Sequence, residues 1–278
     1  MQAPDQGGWP LYQLRAKNIS VQSENKIHSD GVARSLGFGG ALVSGVAVYS
    51  YMTRPLVERY GEAWLGRGTG LATFYKPAYE GDLLDIQAAG PDSLEGGQFP
   101  LVTVRNASGV ELARLEGPPG DAPLQQEELA GLAATARPAG AERVPVSWEA
   151  VQLRQPLWTL QWRPRAEDNA EWCEGVMDDL PLYRESSEAP LHPGLVLRAA
   201  NRVLSNQFIL PAWIHVSSQV RHRVMLRVGQ RIEVRAVPVE KFEKKGHQFA
   251  VVDMLMLAEG VPCVDLRHEF IFRIRAAA

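Results

Sequence analysis

The stretch Ser23-Glu24-Asn25-Lys26-Ile27-His28-Ser29-Asp30 gathers hydroxyls, carboxylates, a carboxamide and an imidazole next to one another. An imidazole titrates near neutrality and can take or give a proton at physiological pH. A carboxamide offers a donor and an acceptor with which to orient a water or a substrate oxygen. A Gly-rich turn follows, and then a long apolar run that contains Gly45. A helix that begins there presents N–H groups with no partner inside the helix, and such groups bind a carbonyl oxygen or other negative charge. Proton transfer beside a held carbonyl is the chemistry these residue types support. The stretch is read as an active-site or acyl-binding element.

The elements that must position these residues follow from the apolar pattern. Residues 11–21 alternate loosely and predict a strand that leads into the stretch. Asp30 is placed to cap a short helix over 31–36. Residues 41–60 predict one long helix, apolar on all faces and therefore buried, with Pro55 as a point where it kinks or restarts. Strands are expected at 68–75, 82–88, 101–106 and 110–116, the last two joined by the turn Ala107-Ser108-Gly109. Residues 117–145 are rich in Pro, Gly and Ala and read as a linker, with one surface helix over 125–135. Beyond it come a strand over 151–162, an amphipathic helix over 164–173 and a loop at Asp178-Asp179-Leu180-Pro181-Leu182-Tyr183. A helix over 195–206 and strands at 213–222, 231–241, 248–258 and 263–275 complete the chain.

Composition excludes several classes of function. The 278 residues are enough for two domains, and the formal net charge of -3 argues against a nucleic-acid platform. Arg221-His222-Arg223 and Lys241 with Lys244-Lys245 read as solvated strand edges. Cys173 and Cys263 are far apart, so neither a disulfide scaffold nor a metal site is expected. With no signal-peptide pattern and no window of ~18 apolar residues, a soluble, cytoplasmic chain that does not enter a membrane is expected. His192 and His215 read as interior or edge histidines, and Trp158, Trp162, Trp172 and Trp213 as core anchors.

The two halves repeat each other. Gly45 opens the buried helix and Gly81-Asp82-Leu83-Leu84-Asp85-Ile86 begins a later strand; Gly194 opens the second helix and Gly229-Gln230-Arg231-Ile232-Glu233-Val234 begins the matching strand. The separations are 36 residues (45 to 81) and 35 residues (194 to 229). Each half is then a strand, an irregular stretch, one long helix and about four antiparallel strands. One helix can serve four strands only if the sheet curls around it, which makes an α+β layer.

That arrangement resembles the hotdog fold, and in its duplicated form the MaoC-like dehydratases and R-specific enoyl-CoA hydratases. The family motif runs Asp-x-Asn-Pro-x-His-x-Asp, with a helix-opening Gly about 17 residues beyond the His. Here Asn25, His28 and Asp30 stand in register, Gly45 follows His28 by 17 residues, and Phe74, Pro77, Gly81 and Asp82 resemble the strand-turn-strand signature that follows. Two positions depart: Ser23 stands where the family has its catalytic Asp, and Lys26 where it has Pro. In the second half Asp178 and Pro181 match the motif, but Leu180 replaces the Asn and Tyr183 the His.

The resemblance implies an α+β double hotdog: residues 1–116 as the hotdog that carries the motif, 117–145 as linker and 146–278 as a hotdog with a degenerate motif. It implies an acyl-thioester hydratase or dehydratase, with His28 as acid or base, the Gly45 N–H as donor to the thioester oxygen, and Asn25 and Ser23 orienting water or substrate. Glu24, Tyr49, Asp178 and Tyr183 are expected against the substrate. Neither Glu24 nor Asp30 convincingly replaces the absent carboxylate, since one points away in an extended chain and the other caps a helix. No metal or redox cofactor is expected; coenzyme A or a carrier-protein arm arrives with the substrate. The internal pair of hotdogs suits a monomer or a homodimer. The departures also favour an acyl-binding or partner subunit without turnover, and the scaffold allows other thioester chemistry such as hydrolysis.

Overall fold

The computed structural model describes residues 8–95, 98–118 and 132–275. In the first half these form β1 (Tyr12–Arg15), α1 (Asp30–Ser35), α2 (Gly45–Tyr60), α3 (Glu62–Arg67), β2 (Thr69–Phe74), β3 (Leu83–Ala89), β4 (Leu101–Asn106) and β5 (Glu111–Glu116). The second half supplies β6 (Val144–Pro145), β7 (Leu160–Trp162), α4 (Ala166–Gly175), α5 (Pro193–Gln207) and β8 (Phe208–Ile209), followed by β9 (Ile214–His222), β10 (Ile232–Lys244), β11 (His247–Ala258) and β12 (Val261–Arg273).

Ten strands join in one antiparallel sheet, in the order β1-β3-β4-β5-β2-β9-β12-β11-β10-β7. Read outward from the central β2–β9 pair, the halves give β2, β5, β4, β3, β1 and β9, β12, β11, β10, β7, so the repeat in the sequence is a repeat in strand order. The seam runs from Thr69 opposite Arg221 to Thr73 opposite Ser217. Gly81 and Gly229, the matched turn glycines, share a left-handed backbone at φ 81° and 82°, which a side chain would strain. Along β3 the residues Leu84, Ile86 and Ala88 turn inward and Leu83, Gln87 and Ala89 outward, the period of two that a half-buried strand requires.

The long helix of each half lies in the core. Val46 through Thr53 of α2 are buried without interruption, as are Pro55, Leu56 and Val57. This helix packs on β3, β4 and β5 and against α5, which in turn packs on β10. The helices meet closely: a Cβ on Gly194 would lie 2.0 Å from Ser50 Oγ and 2.4 Å from Trp172 Nε1.

Several boundaries differ from the sequence pattern, each for a local reason. The first strand ends at Arg15 rather than 21, because the Tyr51 hydroxyl takes the Lys17 N–H and Asn18 Oδ1 takes the Ser20 N–H. The long helix begins at Gly45 rather than 41, because Leu42 and Val43 donate their N–H groups to Ile27 O and Ala78 O. The stretch 151–162 is strand only at its end; Arg154 is left-handed at φ 63°, and the N–H groups of Arg154 and Leu157 bond singly to Pro238 O and Ala236 O. Gly61, at φ 57°, turns the chain into α3, which the strand pattern did not anticipate. The surface helix expected over 125–135 falls for the most part outside the described residues. Both cysteines are buried free thiols, and no helix among the described residues is long and apolar enough to cross a membrane.

Candidate active site

The motif stretch is held in place by the second half. Lys26 N–H donates to Pro211 O at 2.8 Å. The Asn25 side chain pairs with the Trp213 backbone as a neighbouring strand would, its Nδ2 donating to Trp213 O at 3.0 Å and its Oδ1 accepting from Trp213 N at 3.1 Å. The same Oδ1 accepts from Ile27 N and so caps the single helical turn Lys26–His28. Asn25 was expected to orient water or substrate. Both ends of its amide are engaged by the chain itself, and the residue also lines the same cavity as His28.

His28 is buried, and its hydrogen bonds fix its tautomer. Nδ1 lies 2.7 Å from Leu42 O. A carbonyl oxygen only accepts, so Nδ1 carries the proton and Nε2 the lone pair. Nε2 faces Asn25 Nδ2 at 3.3 Å, a long contact in which the amide donates. Burial lowers the His28 pKa, and the bond to Leu42 O offsets this only in part. His28 is thus a neutral imidazole with its basic nitrogen free of any carboxylate partner, the state of a general base.

Behind it, α2 opens at Gly45. Ser44 is the N-cap residue, but its hydroxyl makes no capping bond; Oγ is buried and has no partner among the described residues. Nor does the Gly45 N–H meet an acceptor among the described residues. On its other side Gly45 is pressed against His215, whose Nδ1 would lie 2.8 Å from an added Cβ, so only glycine fits. Ser44, Val46, His28, Asn25 and Ser23 line one cavity of about 870 Å³, within the range of ligand sites. Leu195, Arg198, Asn201, Arg202 and Ser205 of α5 line the same cavity.

The corresponding position in the second half is filled. His192 Nδ1 accepts the Gly194 N–H at 3.0 Å, so its Nε2 carries the proton and donates to Asp178 Oδ2 at 3.1 Å. Asp178 Oδ1 takes the Leu180 N–H at 3.0 Å. Asp178, His192 and Tyr183 are all buried, and Tyr183 packs on the His192 ring at 4.6 Å. An incoming carbonyl would have to displace the imidazole.

The remaining predicted residues divide. Ser23 lines the cavity, with its hydroxyl donating to Asn25 O at 3.1 Å. Glu24 also lines it but is bound by Arg143 at 2.6 Å, a bond that holds its carboxyl below the usual range. Asp30 accepts the Ala41 N–H at 2.7 Å and shapes the turn. Tyr49, Asp178 and Tyr183, expected against the substrate, do not line the cavity; burial in the core pushes the Tyr49 and Tyr183 hydroxyls well up. Sequence reasoning missed Ser44, Asn201, Arg198 and Arg202. Ser44 carried a usable signal, a serine directly before the helix-opening glycine. The α5 residues carried none, because only the tertiary fold brings that helix to the cavity that His28 lines.

Neither a family model nor a curated protein matches the sequence. Solved structures do match. A MaoC domain protein from Chloroflexus aurantiacus J-10-fl, assigned as a dehydratase, superposes with a TM-score of 0.68 at 11% identity, over 99% of this chain and 100% of that one. A MaoC-like dehydratase gives 0.60 at 15%, over 97% and 98%. A conserved hypothetical protein from Mycobacterium tuberculosis gives 0.57 at 13%, over 95% and 96%, and is itself described as a double hotdog. The mirrored strand order and these superpositions together establish the fold: the chain is a double hotdog of the kind found in MaoC-like dehydratase domain proteins.

Proposed function

We propose that the protein binds an acyl thioester in the cavity of its first half and transfers protons there, hydrating an enoyl-thioester or dehydrating a 3-hydroxyacyl one. The observation that carries this reading is the contrast between the two helix starts. The Gly194 N–H is taken by His192, whereas the Gly45 N–H has no acceptor among the described residues and stands between two residues of a cavity that also holds a neutral histidine. In this reading the α2 start and the Ser44 hydroxyl hold the thioester oxygen as negative charge develops on it. In hydration His28 Nε2 takes a proton from water as the hydroxyl adds to the β-carbon and returns it to the α-carbon; in dehydration it takes the α-proton and gives it to the departing hydroxyl, which leaves as water. No metal or redox cofactor enters the scheme.

A specific observation favours a second reading, thioester binding without hydration. Ser23 supplies no carboxylate, and of the cavity's three carboxylates Glu24 and Asp168 are bound to Arg143 and Arg165, which leaves Glu171. The experiment that separates the readings follows the loss of enoyl-thioester absorbance on adding the purified protein to a series of enoyl-CoA chain lengths. Turnover with saturation supports the first reading. Saturable binding of the same thioesters with no loss of absorbance at any chain length supports the second.

A further inference from the structure

The α5 wall of the cavity carries features that the proton chemistry does not use. Arg198 and Arg202 stand four residues apart on α5, and Arg163 stands just before α4; all three line the cavity. Like charges at that helical spacing repel. None of the three has an ion-pair partner among the described residues, although the neighbouring Arg165 is paired with Asp168 at 3.2 Å. The two helix arginines instead stand over indoles, Arg198 on Trp172 and Arg202 on Trp162, each 5.5 Å from the ring centroid, a contact that does not neutralise them. Burial, and Arg198 beside it, lower the Arg202 pKa, and the nearby Asp168 offsets this only in part. Arg163, Arg165, Arg198 and Arg202 outnumber Asp168 and Glu171, the acidic residues on this wall, by four to two. Between the arginines, Asn201 Oδ1 is buried and has no donor among the described residues.

A ligand that satisfies this wall presents phosphate oxygens to the guanidinium groups and an amide N–H to the Asn201 oxygen. Resting on the acyl-thioester reading above, we infer that the wall formed by Arg163, Arg198, Arg202 and Asn201 binds a phosphopantetheine arm, with its phosphate on the arginines and an amide of the arm on Asn201. Guanidinium forks suit phosphate better than point charges do. The arm then enters beside α4 and carries its thioester toward His28 and the α2 start. Both coenzyme A and a carrier protein present this chemistry.

Titration calorimetry with 4′-phosphopantetheine, pantetheine, coenzyme A and adenosine 3′,5′-bisphosphate tests the site. In the Arg198→Gln/Arg202→Gln variant, 4′-phosphopantetheine is expected to bind about 10- to 100-fold more weakly than in the wild type, and pantetheine equally well. Asn201→Ala is expected to weaken both by a similar factor. Arg163→Gln, outside both helices, gives an independent reading if the double variant does not fold. Competition by the bisphosphate marks coenzyme A as the source, and its absence marks a protein-borne arm; either outcome supports the site. Equal affinity of the wild type for 4′-phosphopantetheine and pantetheine, or full affinity in the folded arginine variants, overturns it. Arginine-dependent binding without turnover of any enoyl thioester removes the hydratase reading and leaves this site. Turnover that is indifferent to the arginine variants removes this site and leaves that reading.

Discussion

In the proposed reaction the protonation state of one residue carries most of the chemistry. His28 is neutral because it is buried, and its lone pair is on Nε2 because Leu42 O claims the Nδ1 proton. A base must be neutral to act, and the His28 pKa lies below the ordinary value of 6.5. The value of kcat/KM is therefore expected to rise with pH and to reach half its plateau below pH 6.5. A half-point above 6.5, measured across buffers of constant ionic strength, would contradict the assignment. The register of Asn25, His28 and Gly45 was legible in the sequence because the spacing within one loop and its helix is local. What Asn25 does was not, because its partner Trp213 lies 188 residues away and is met through backbone atoms, which leave no trace in side-chain type.

At the scale of elements, the two helix starts decide which half is open. Each has a glycine in its first two residues, and in each the reason is crowding rather than turn geometry: His215 abuts Gly45, and Ser50 with Trp172 abuts Gly194. The second contact is the tighter and lies where α2 meets α5. Overpacking of this kind costs about 1–3 kcal/mol. Gly194→Ala is expected to lower the denaturant midpoint by an equivalent amount with the slope unchanged, and an unaltered midpoint would show that the helices are not in this contact. The repeat of helix and strands could be read from Gly45 with Gly81 and Gly194 with Gly229, since glycine marks both positions in both halves. The occupant of the second helix start could not. His192 lies 14 residues past Asp178, outside the motif's register, and the fold brings it back to the Gly194 N–H.

The whole molecule has an acid-sensitive core. His215, His222 and His268 are buried and kept neutral by desolvation, with His222 lowered to about 4, His268 to about 3 and His215 well below 6.5. His215 and His268 face the same Ser218 hydroxyl, each at 2.8 Å, next to the β2–β9 seam. In the unfolded chain these histidines bind protons near pH 6.5; in the native chain they do not. Stability is therefore fully present above pH 6.5 and is lost as pH falls from there toward the native values. Each such histidine contributes about 1.4 kcal/mol per pH unit within that window. Asp265 and Glu269, raised by burial, act in the opposite sense. Urea denaturation between pH 7.5 and 5.5 is expected to show a midpoint that falls with pH, and a flat midpoint would refute the buried neutral histidines. The helices and strands followed from periodicity and the hotdog arrangement from the family resemblance, but the joining of ten strands into one sheet, and the α5 residues it brings to the cavity of His28, depend on contacts between halves that no local pattern encodes. The central claim is that the first-half cavity is a thioester site with His28 as its base. It is tested most directly by kcat/KM for a short enoyl-CoA in the wild type and in a folded His28→Ala variant. The expected result is turnover by the wild type and a loss of about 10²–10⁴-fold in the variant; equal turnover by the two proteins would contradict it.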